Sequence, residues 1–497
     1  MKSHKNLQHI IFWISLAVII LLGAFLRFYQ IGEQSFWLDE AVSYSTVSSG
    51  FTRFISTGNM AMFYLLAALW TRLMPVITEA SLRSLTALFS ILSIPLIFLL
   101  GKAIFDDERK GMLCGLLVAF LLAINSTEVR YAQEFRSYSL TTLLTLASTL
   151  LLIQLVKENA KKPWTVVLYT LITAAAFYSH MLAGLLVAAH VVSLLFLIPA
   201  FKSDAQFLRR LLLGYVCVLL LLIPLALQIL TIGASPLGWM SQPQLSDIPK
   251  LFLFLTGTTQ KGYLLVYLAF ALLGILGGMG VLGKSITQQH WRFLLLLINI
   301  VFPIGLSFIV SLVLQPIFLD RYLLMTGPYL TLLVAAGIVT AAELLHKVFP
   351  RALPLPLVVA VFAALFAVLA YSGLSNYYEK AQKEDWRTAA NILATHCQQS
   401  LRIYYPDWLA PSVQFYEPRL NPIASAELSA YLQELKADSN ATLPEAKNYA
   451  QACLVFSHLQ VSGRRQDAEL LRLAIQKDFP NALVTELNGV TVEIYSR

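Results

Sequence analysis

The stretch NMAMFYLLAALWTRLMP, residues 59–75, is apolar but short, and Arg72 and Pro75 end it. About 20 mainly apolar residues are needed to cross a hydrocarbon layer roughly 30 Å thick. The segment therefore reads as a helix lying in the interface or dipping in and out of it; counted as a span, it would be a twelfth. Longer apolar blocks lie on both sides, near 10–26, 84–101, 111–127, 137–156, 164–180, 182–200, 211–231, 263–283, 293–314, 323–346 and 354–372, about eleven spans. How 59–75 is read fixes the sidedness of everything after it.

Charge decides between the two counts. With 59–75 non-spanning and the N-terminus inside, the inner loops carry 15 Lys and Arg residues, from Lys2 to Arg351, against nine on the outer side. Making 59–75 a span would send the 13 inner basic residues from Lys102 onward outside, against the usual cytoplasmic excess of Lys and Arg. The first block, 10–26, starts basic but is long and shows no small-x-small cleavage site before Arg27, so it reads as an uncleaved first span. An odd number of crossings then leaves the C-terminus outside.

Composition agrees with this architecture. Of 497 residues 57% are hydrophobic and only 13% charged, and the mean hydropathy is +0.68. Soluble domains carry about 25% charged residues, so a water-soluble enzyme is excluded, and 29 Phe, 21 Tyr and 8 Trp exclude disorder. The net charge of +8 is no nucleic-acid footprint, because the basic excess sits among the apolar blocks while residues 373–497 hold 12 basic and 14 acidic residues.

Residues 1–372 thus read as a multi-span transmembrane domain with an outer juxtamembrane segment, 31–80. Residues 373–497 read as a soluble α/β domain on the outer face, from alternating helical and strand patterns ending in a hairpin at Asn488-Gly489. Cys397 and Cys453 fall in that domain, as a disulfide or as two buried thiols. The fold class is a polytopic α-helical membrane protein of about 11 spans, or 12, with a C-terminal soluble α/β domain.

This topology gathers polar residues on the outer side. Phe36-Trp37-Leu38-Asp39-Glu40 follows the first span, and Arg130 to Arg136 follows the third and runs into Ser137-Tyr138. Tyr178-Ser179-His180 ends the fifth span, Asp320-Arg321-Tyr322 follows the ninth, and Lys261 ends the long outer loop 232–262. Asp39 and Glu40 either cap the positive end of a short interfacial helix beginning near Ser35 or meet a proton, cation or polar substrate. Helical spacing puts Arg130, Glu134 and Tyr138 on one face, with Arg136 pointing elsewhere. Arg130–Glu134 reads equally as a surface ion pair or as a second carboxylate beside a phosphate-binding arginine. No Cys/His set has zinc spacing.

The order FWLDEA (36–41), a short apolar juxtamembrane segment, EASLRS (79–84), YAQEFRSYSL (131–140) and YSH (178–180) resembles the C-type glycosyltransferases of family 39. These include the protein O-mannosyltransferases and the lipid A aminoarabinose transferase. The resemblance covers roughly residues 1–200, with a weaker echo at DRYLL (320–324). Relatives often have a His-Pro-Pro-type segment where this chain has Asn59-Met60-Ala61.

The resemblance implies hexosyl or pentosyl transfer from a polyprenyl-phosphate donor to an acceptor hydroxyl of a lipid, glycan or protein. The reaction would run on the outer, periplasmic face of the plasma (inner) membrane and invert the anomeric centre. It implies Asp39 as the base that deprotonates the acceptor, with Glu40 and Glu134 positioning the sugar or assisting electrostatically. Arg136, His180 and Arg321 would stabilise the departing phosphate, with Lys261 and Tyr322 as further candidates for the phosphate site. The resemblance names no cofactor, and a divalent cation is compatible with it; no nucleic-acid partner is implied. The alternative is a transporter or flippase of lipid-linked sugars. That activity calls for matching broken spans in two halves with mid-membrane ionisable groups, whereas the polar candidates here sit at outer ends.

Overall fold

Where apolar helices meet, small and polar residues decide how closely they pack. The computed structural model describes residues 2–50, 59–197, 204–232, 240–280, 286–349, 354–438, 441–461 and 463–497. Arg53, Lys202, Lys284 and Arg351, counted in the charge argument, lie outside the described residues. The described chain forms two units: residues 2–31, 59–77 and 81–378 in one, and 32–50, 78–80 and 379–497 in the other.

The first unit is helical. Eight of its described helices are long and apolar enough to cross a membrane, and nine if the bent pair Glu108–Ile124 and Ser126–Ala132 is one span. Two of the eleven expected spans are shorter helices, Pro163–Ser179 of 17 residues and Ala183–Leu195 of 13. At 1.5 Å per residue the described helices run about 26 and 20 Å, and residues 198–200 of the second expected span lie outside the described residues. The turn that cuts them runs through His180, whose amide still bonds Ala176 O at 3.1 Å while Ala183 N bonds His180 O at 2.9 Å. The segment 59–75 is the helix Ala61–Leu73, too short to span.

The most buried helix runs from Gly327 to Val348. It packs against Lys261–Met279 so closely that a Cβ at Gly337 would sit 1.8 Å from Phe270 O. Small residues let membrane helices touch backbone to backbone, and no larger residue fits here. A chain of polar side chains adds specificity. Tyr215 OH meets Tyr169 OH at 2.9 Å, Tyr169 OH meets His190 Nδ1 at 3.2 Å, and His190 Nε2 meets Thr149 Oγ1 at 2.9 Å. Thr149 Oγ1 then meets Tyr329 OH at 2.7 Å, and Tyr329 OH donates to Thr145 O at 3.0 Å. Buried polar groups need partners, and these five residues on five helices supply them for one another.

The bend of 62° between Glu108–Ile124 and Ser126–Ala132 has an identifiable cause. Asn125 accepts from the amides of Thr127 (3.0 Å) and Glu128 (3.1 Å) and so starts a new helix. The carbonyls left at the old helix end are taken by Arg27, whose Nη1 reaches Ala123 O at 3.0 Å and Nη2 reaches Leu122 O at 3.2 Å. Asn125, Ser126 and Thr127 donate in turn to the carbonyls of Leu255, Gly257 and Phe254 at 3.0, 2.6 and 2.6 Å. Gly257 ends the helix Asp247–Thr256 at φ +72°, and a Cβ there would lie 2.9 Å from Asn125 Oδ1. Both the left-handed backbone and the close approach require glycine.

The second unit contains the α/β region. Its sheet has the order β1-β2-β4-β3, with β1 Leu401–Tyr405, β2 Gln451–Ser457, β3 Asn481–Leu487 and β4 Val490–Ser496. β1 and β2 run parallel, and the other two pairings are antiparallel. The β3–β4 hairpin turns at Asn488-Gly489, where the sequence expects it. Helices Ser425–Ala437 and Arg464–Asp478 contribute to the core on one side, and Trp386–His396 to that on the other. Residues 32–50, read from sequence as part of a juxtamembrane segment, fold with this unit, while 59–77 belong to the helical one.

Cys397 and Cys453 form a disulfide, with Cα atoms 6.2 Å apart. Alkylation of the denatured, unreduced protein is expected to modify two cysteines, Cys114 and Cys217, with Cys397 and Cys453 becoming reactive only after reduction. Peptide mass spectra with four alkylated thiols before reduction would refute the bridge.

Candidate active site

In the helical unit the stretch 130–138 does not continue as one helix. The helix Ser126–Ala132 ends, residues 133–137 turn, and the next helix starts at Tyr138. Gln133 makes the turn. Its Nε2 donates to Arg27 O at 3.0 Å and Tyr29 O at 2.8 Å, and its Oε1 accepts from Tyr377 OH at 2.8 Å. The i, i+4, i+8 face expected from helical spacing is therefore interrupted. The Arg130–Glu134 pair survives at 3.5 Å, with the Glu134 side chain buried and that of Arg130 40% exposed.

The turn gathers residues that are distant in sequence. The Arg136 guanidinium stands 5.9 Å from the centre of the Tyr138 ring, and that ring lies 6.0 Å from His180. His180 lies 4.9 Å from the Tyr322 ring, and the Arg321 guanidinium is 5.8 Å from the same ring. Tyr131 closes the group edge-on to Tyr138 at 5.2 Å. Two arginines thus flank a buried imidazole in an aromatic frame.

Burial first, then the charges of Arg136 and Arg321, hold the His180 imidazole well below its ordinary range. At neutral pH it is uncharged. The amide of Leu182 donates to Nδ1 at 3.3 Å, so the ring proton sits on Nε2, as a donor. The cluster offers two fixed cations and one neutral N–H, a set suited to an anion with oxygens. Lys261 is exposed at the start of its helix, and no hydrogen bond or ion pair joins it to this cluster.

Asp39 and Glu40 belong to the second unit, in the first turn of the helix Leu38–Ser48. A short helix with an acidic first turn is what capping of its positive end predicts, though it begins at Leu38 and not near Ser35. The loop before it is fastened through its backbone. Arg387 reaches Gly32 O (2.8 Å), Glu33 O (3.2 Å) and Glu79 Oε1 (2.6 Å). Tyr416 OH accepts from the Phe36 amide at 2.7 Å and donates to Glu79 Oε1 at 2.8 Å. Gln34 Oε1 accepts from the amides of Gln382 and Lys383 at 2.8 and 3.1 Å. The Phe36 ring stacks on Phe415 at 4.4 Å.

The two adjacent carboxylates have different surroundings. Glu40 is fully buried and pairs with Lys383 Nζ at 3.0 Å, whereas Asp39 is half-buried. A polar cavity of about 310 Å³ opens beside the loop, lined by Gln34, Ser35, Lys383, Glu384, Arg387 and Asn488 among others. Among the described residues no group of three or more His, Cys, Asp and Glu side chains is arranged to hold a metal ion.

Sequence reasoning passed over Asn125, Ser126, Thr127, Gln133, Lys383, Glu384, Arg387 and Tyr416. Three of these had a visible signal, a polar run ending an apolar block at 125–127. The C-terminal residues had none. Gln133→Leu, which orphans two backbone carbonyls and Tyr377, is expected to cost about 3 kcal/mol. The check is a thermal melt in detergent, where an unchanged midpoint contradicts the role given to Gln133.

A family described as dolichyl-phosphate-mannose-protein mannosyltransferase matches residues 60–227. No curated protein matches the chain. Among solved structures, apo ArnT from Cupriavidus metallidurans superposes with a TM-score of 0.62 at 13% identity, covering 97% of both chains. The same protein bound to undecaprenyl phosphate gives 0.60 at 13% identity, over 97% of this chain and 98% of that one. The oligosaccharyltransferase AglB from Archaeoglobus fulgidus, with an inhibitory peptide and a dolichol-phosphate, gives 0.57 at 12% identity, over 99% and 75%. This chain is therefore a multi-pass membrane protein with the ArnT-like fold of the C-type glycosyltransferases, and its residues 60–227 match the mannosyltransferase family.

Proposed function

We propose that the protein is an integral-membrane glycosyltransferase that moves a hexosyl or pentosyl group from a polyprenyl-phosphate donor to an acceptor hydroxyl. The observation that carries this reading is the grouping of Arg136 and Arg321 around the neutral His180. It is supported by the undecaprenyl phosphate in the ArnT structure and the dolichol-phosphate in the AglB structure.

The acceptor oxygen attacks the anomeric carbon, and the bond from that carbon to the phosphate oxygen breaks. The acceptor proton passes to Asp39 as general base. The bonding pair leaves with the phosphate, whose added charge is met by Arg136, Arg321 and the Nε2 proton of His180, with Tyr322 framing the imidazole. Glu134, buried beside Arg130, supplies a second carboxylate toward the sugar, and Lys261 a cation for the approaching donor. One displacement inverts the anomeric centre. The acceptor is a lipid, glycan or protein hydroxyl on the periplasmic side of the inner membrane. The excess of basic residues on the other side and the Cys397–Cys453 disulfide, of a kind that persists in oxidising compartments, support that sidedness.

The test is incubation of the purified protein with a panel of polyprenyl-phosphate sugars, measuring which is consumed. Asp39→Asn is expected to lower kcat by about 10²–10⁴-fold at unchanged membrane abundance; transfer at the normal rate removes Asp39 as base. Arg136→Gln and Arg321→Gln are each expected to lower kcat/KM by roughly 10²–10³-fold. Unchanged kinetics in both would remove the phosphate site.

A further inference from the structure

The two edges of the sheet in the second unit are finished differently. At β1 the returning chain covers the outer edge: the Ile423 amide donates to Arg402 O at 2.8 Å, and Arg402 Nε donates to Asn421 O at 2.8 Å. At the other edge, β3, no backbone group of another segment bonds to the outer side among the described residues. The strand Asn481–Leu487 is seven residues long and pairs with β4 in unbroken register. It holds no Pro, no Lys and no bulge, the devices that ordinarily blunt an edge. Its apolar side chains point both ways. Leu483 is 62% exposed, and Val484, on the opposite face, is 51% exposed.

The hairpin fixes which backbone groups this edge offers. Its turn is Asn488-Gly489, so Leu487 and Val490 form a hydrogen-bonded pair, and the odd-numbered residues of β3 aim their amides and carbonyls at β4. The bond from the Arg497 amide to Ala450 O agrees, because it puts the odd-numbered residues of β4 in bonding phase with β2. Ala482, Val484 and Glu486 therefore turn both backbone groups outward. We propose that this edge docks a second copy of the chain, β3 pairing antiparallel with its own counterpart about Val484. In that register Val484 faces Val484 and Ala482 faces Glu486, so every outward amide and carbonyl is matched. On the other face Leu483 lies opposite Thr485. Glu486 is the strand's one ionisable residue, and with Ala482 opposite it no like charges meet. A register one residue away would set outward groups against inward ones. The contact is isologous and closes on itself, joining two sheets into one.

The full-length protein is measured in detergent by light scattering corrected for bound detergent. The expected mass is twice the 55.4 kDa of the chain. Val484→Lys places two ammonium groups at the centre of the pairing, on a side chain exposed in the single copy, and is expected to halve that mass with an unchanged circular dichroism spectrum. In membranes, Val484→Cys is expected to give a disulfide-linked dimer on a non-reducing gel. Opposed residues of a hydrogen-bonded pair have Cα atoms about 5.5 Å apart, a span that a disulfide bridges. Leu483→Cys, whose counterpart lies two positions along the strand, is expected to stay unlinked, as is the parent with its own Cys114 and Cys217. A parent of single mass together with an unlinked Val484→Cys overturns the proposal, as does a doubled mass that Val484→Lys leaves unchanged. Equal linking at 483 and 484 also overturns it, and a Val484→Cys adduct of any mass other than twice the chain gives the edge to a different protein.

Discussion

A backbone carbonyl released inside an apolar layer has no water to turn to, and the helical unit is organised around meeting that demand at one place. The helix Glu108–Ile124 stops in front of Asn125, and its last carbonyls are taken by Arg27. The next three side chains cover the carbonyls at the end of Asp247–Thr256. Two helix ends are thereby satisfied by one polar knot. The chain leaves at 62° to its former course, and that change of direction sends Arg130 to Tyr138 into the turn where Arg136 joins His180 and Arg321.

The second unit uses the same device outside a helix. Arg387, Tyr416, Gln34 and Glu384 spend their hydrogen bonds on the backbone of residues 32–38 and its neighbours. A loop held largely through its amides and carbonyls keeps its place even when most of its side chains are changed. The acidic loop is thus a part of the C-terminal fold in structure, although some 330 residues separate them in sequence. Its rigidity follows from contacts made by residues of the same unit.

Electrostatics differ between the two places. Around His180 two guanidiniums and burial keep the imidazole neutral, so charge for an anion comes from arginines, which do not titrate, and direction comes from a ring nitrogen whose proton is fixed by Leu182. Around Asp39 the opposite arrangement holds. A lysine pairs with the buried carboxylate of Glu40, next to Asp39 in the sequence.

The membrane class, the non-spanning character of 59–75, the α/β nature of 373–497 and its hairpin were legible in the sequence, because each depends on local periodicity and composition, which a linear chain carries openly. FWLDEA and YAQEFRSYSL were visible as polar islands among apolar blocks. The sequence left other things open: that 130–138 turns at Gln133 instead of continuing as a helix, that a turn through His180 separates the helices Pro163–Ser179 and Ala183–Leu195, and that Cys397 joins Cys453. Nor did it show that Glu40 is buried against Lys383. Each of these depends on a partner far along the chain: Tyr377 for Gln133, Lys383 for Glu40, Arg321 for His180. A carboxylate's role is set by the charge and burial around it, and only the folded chain supplies those.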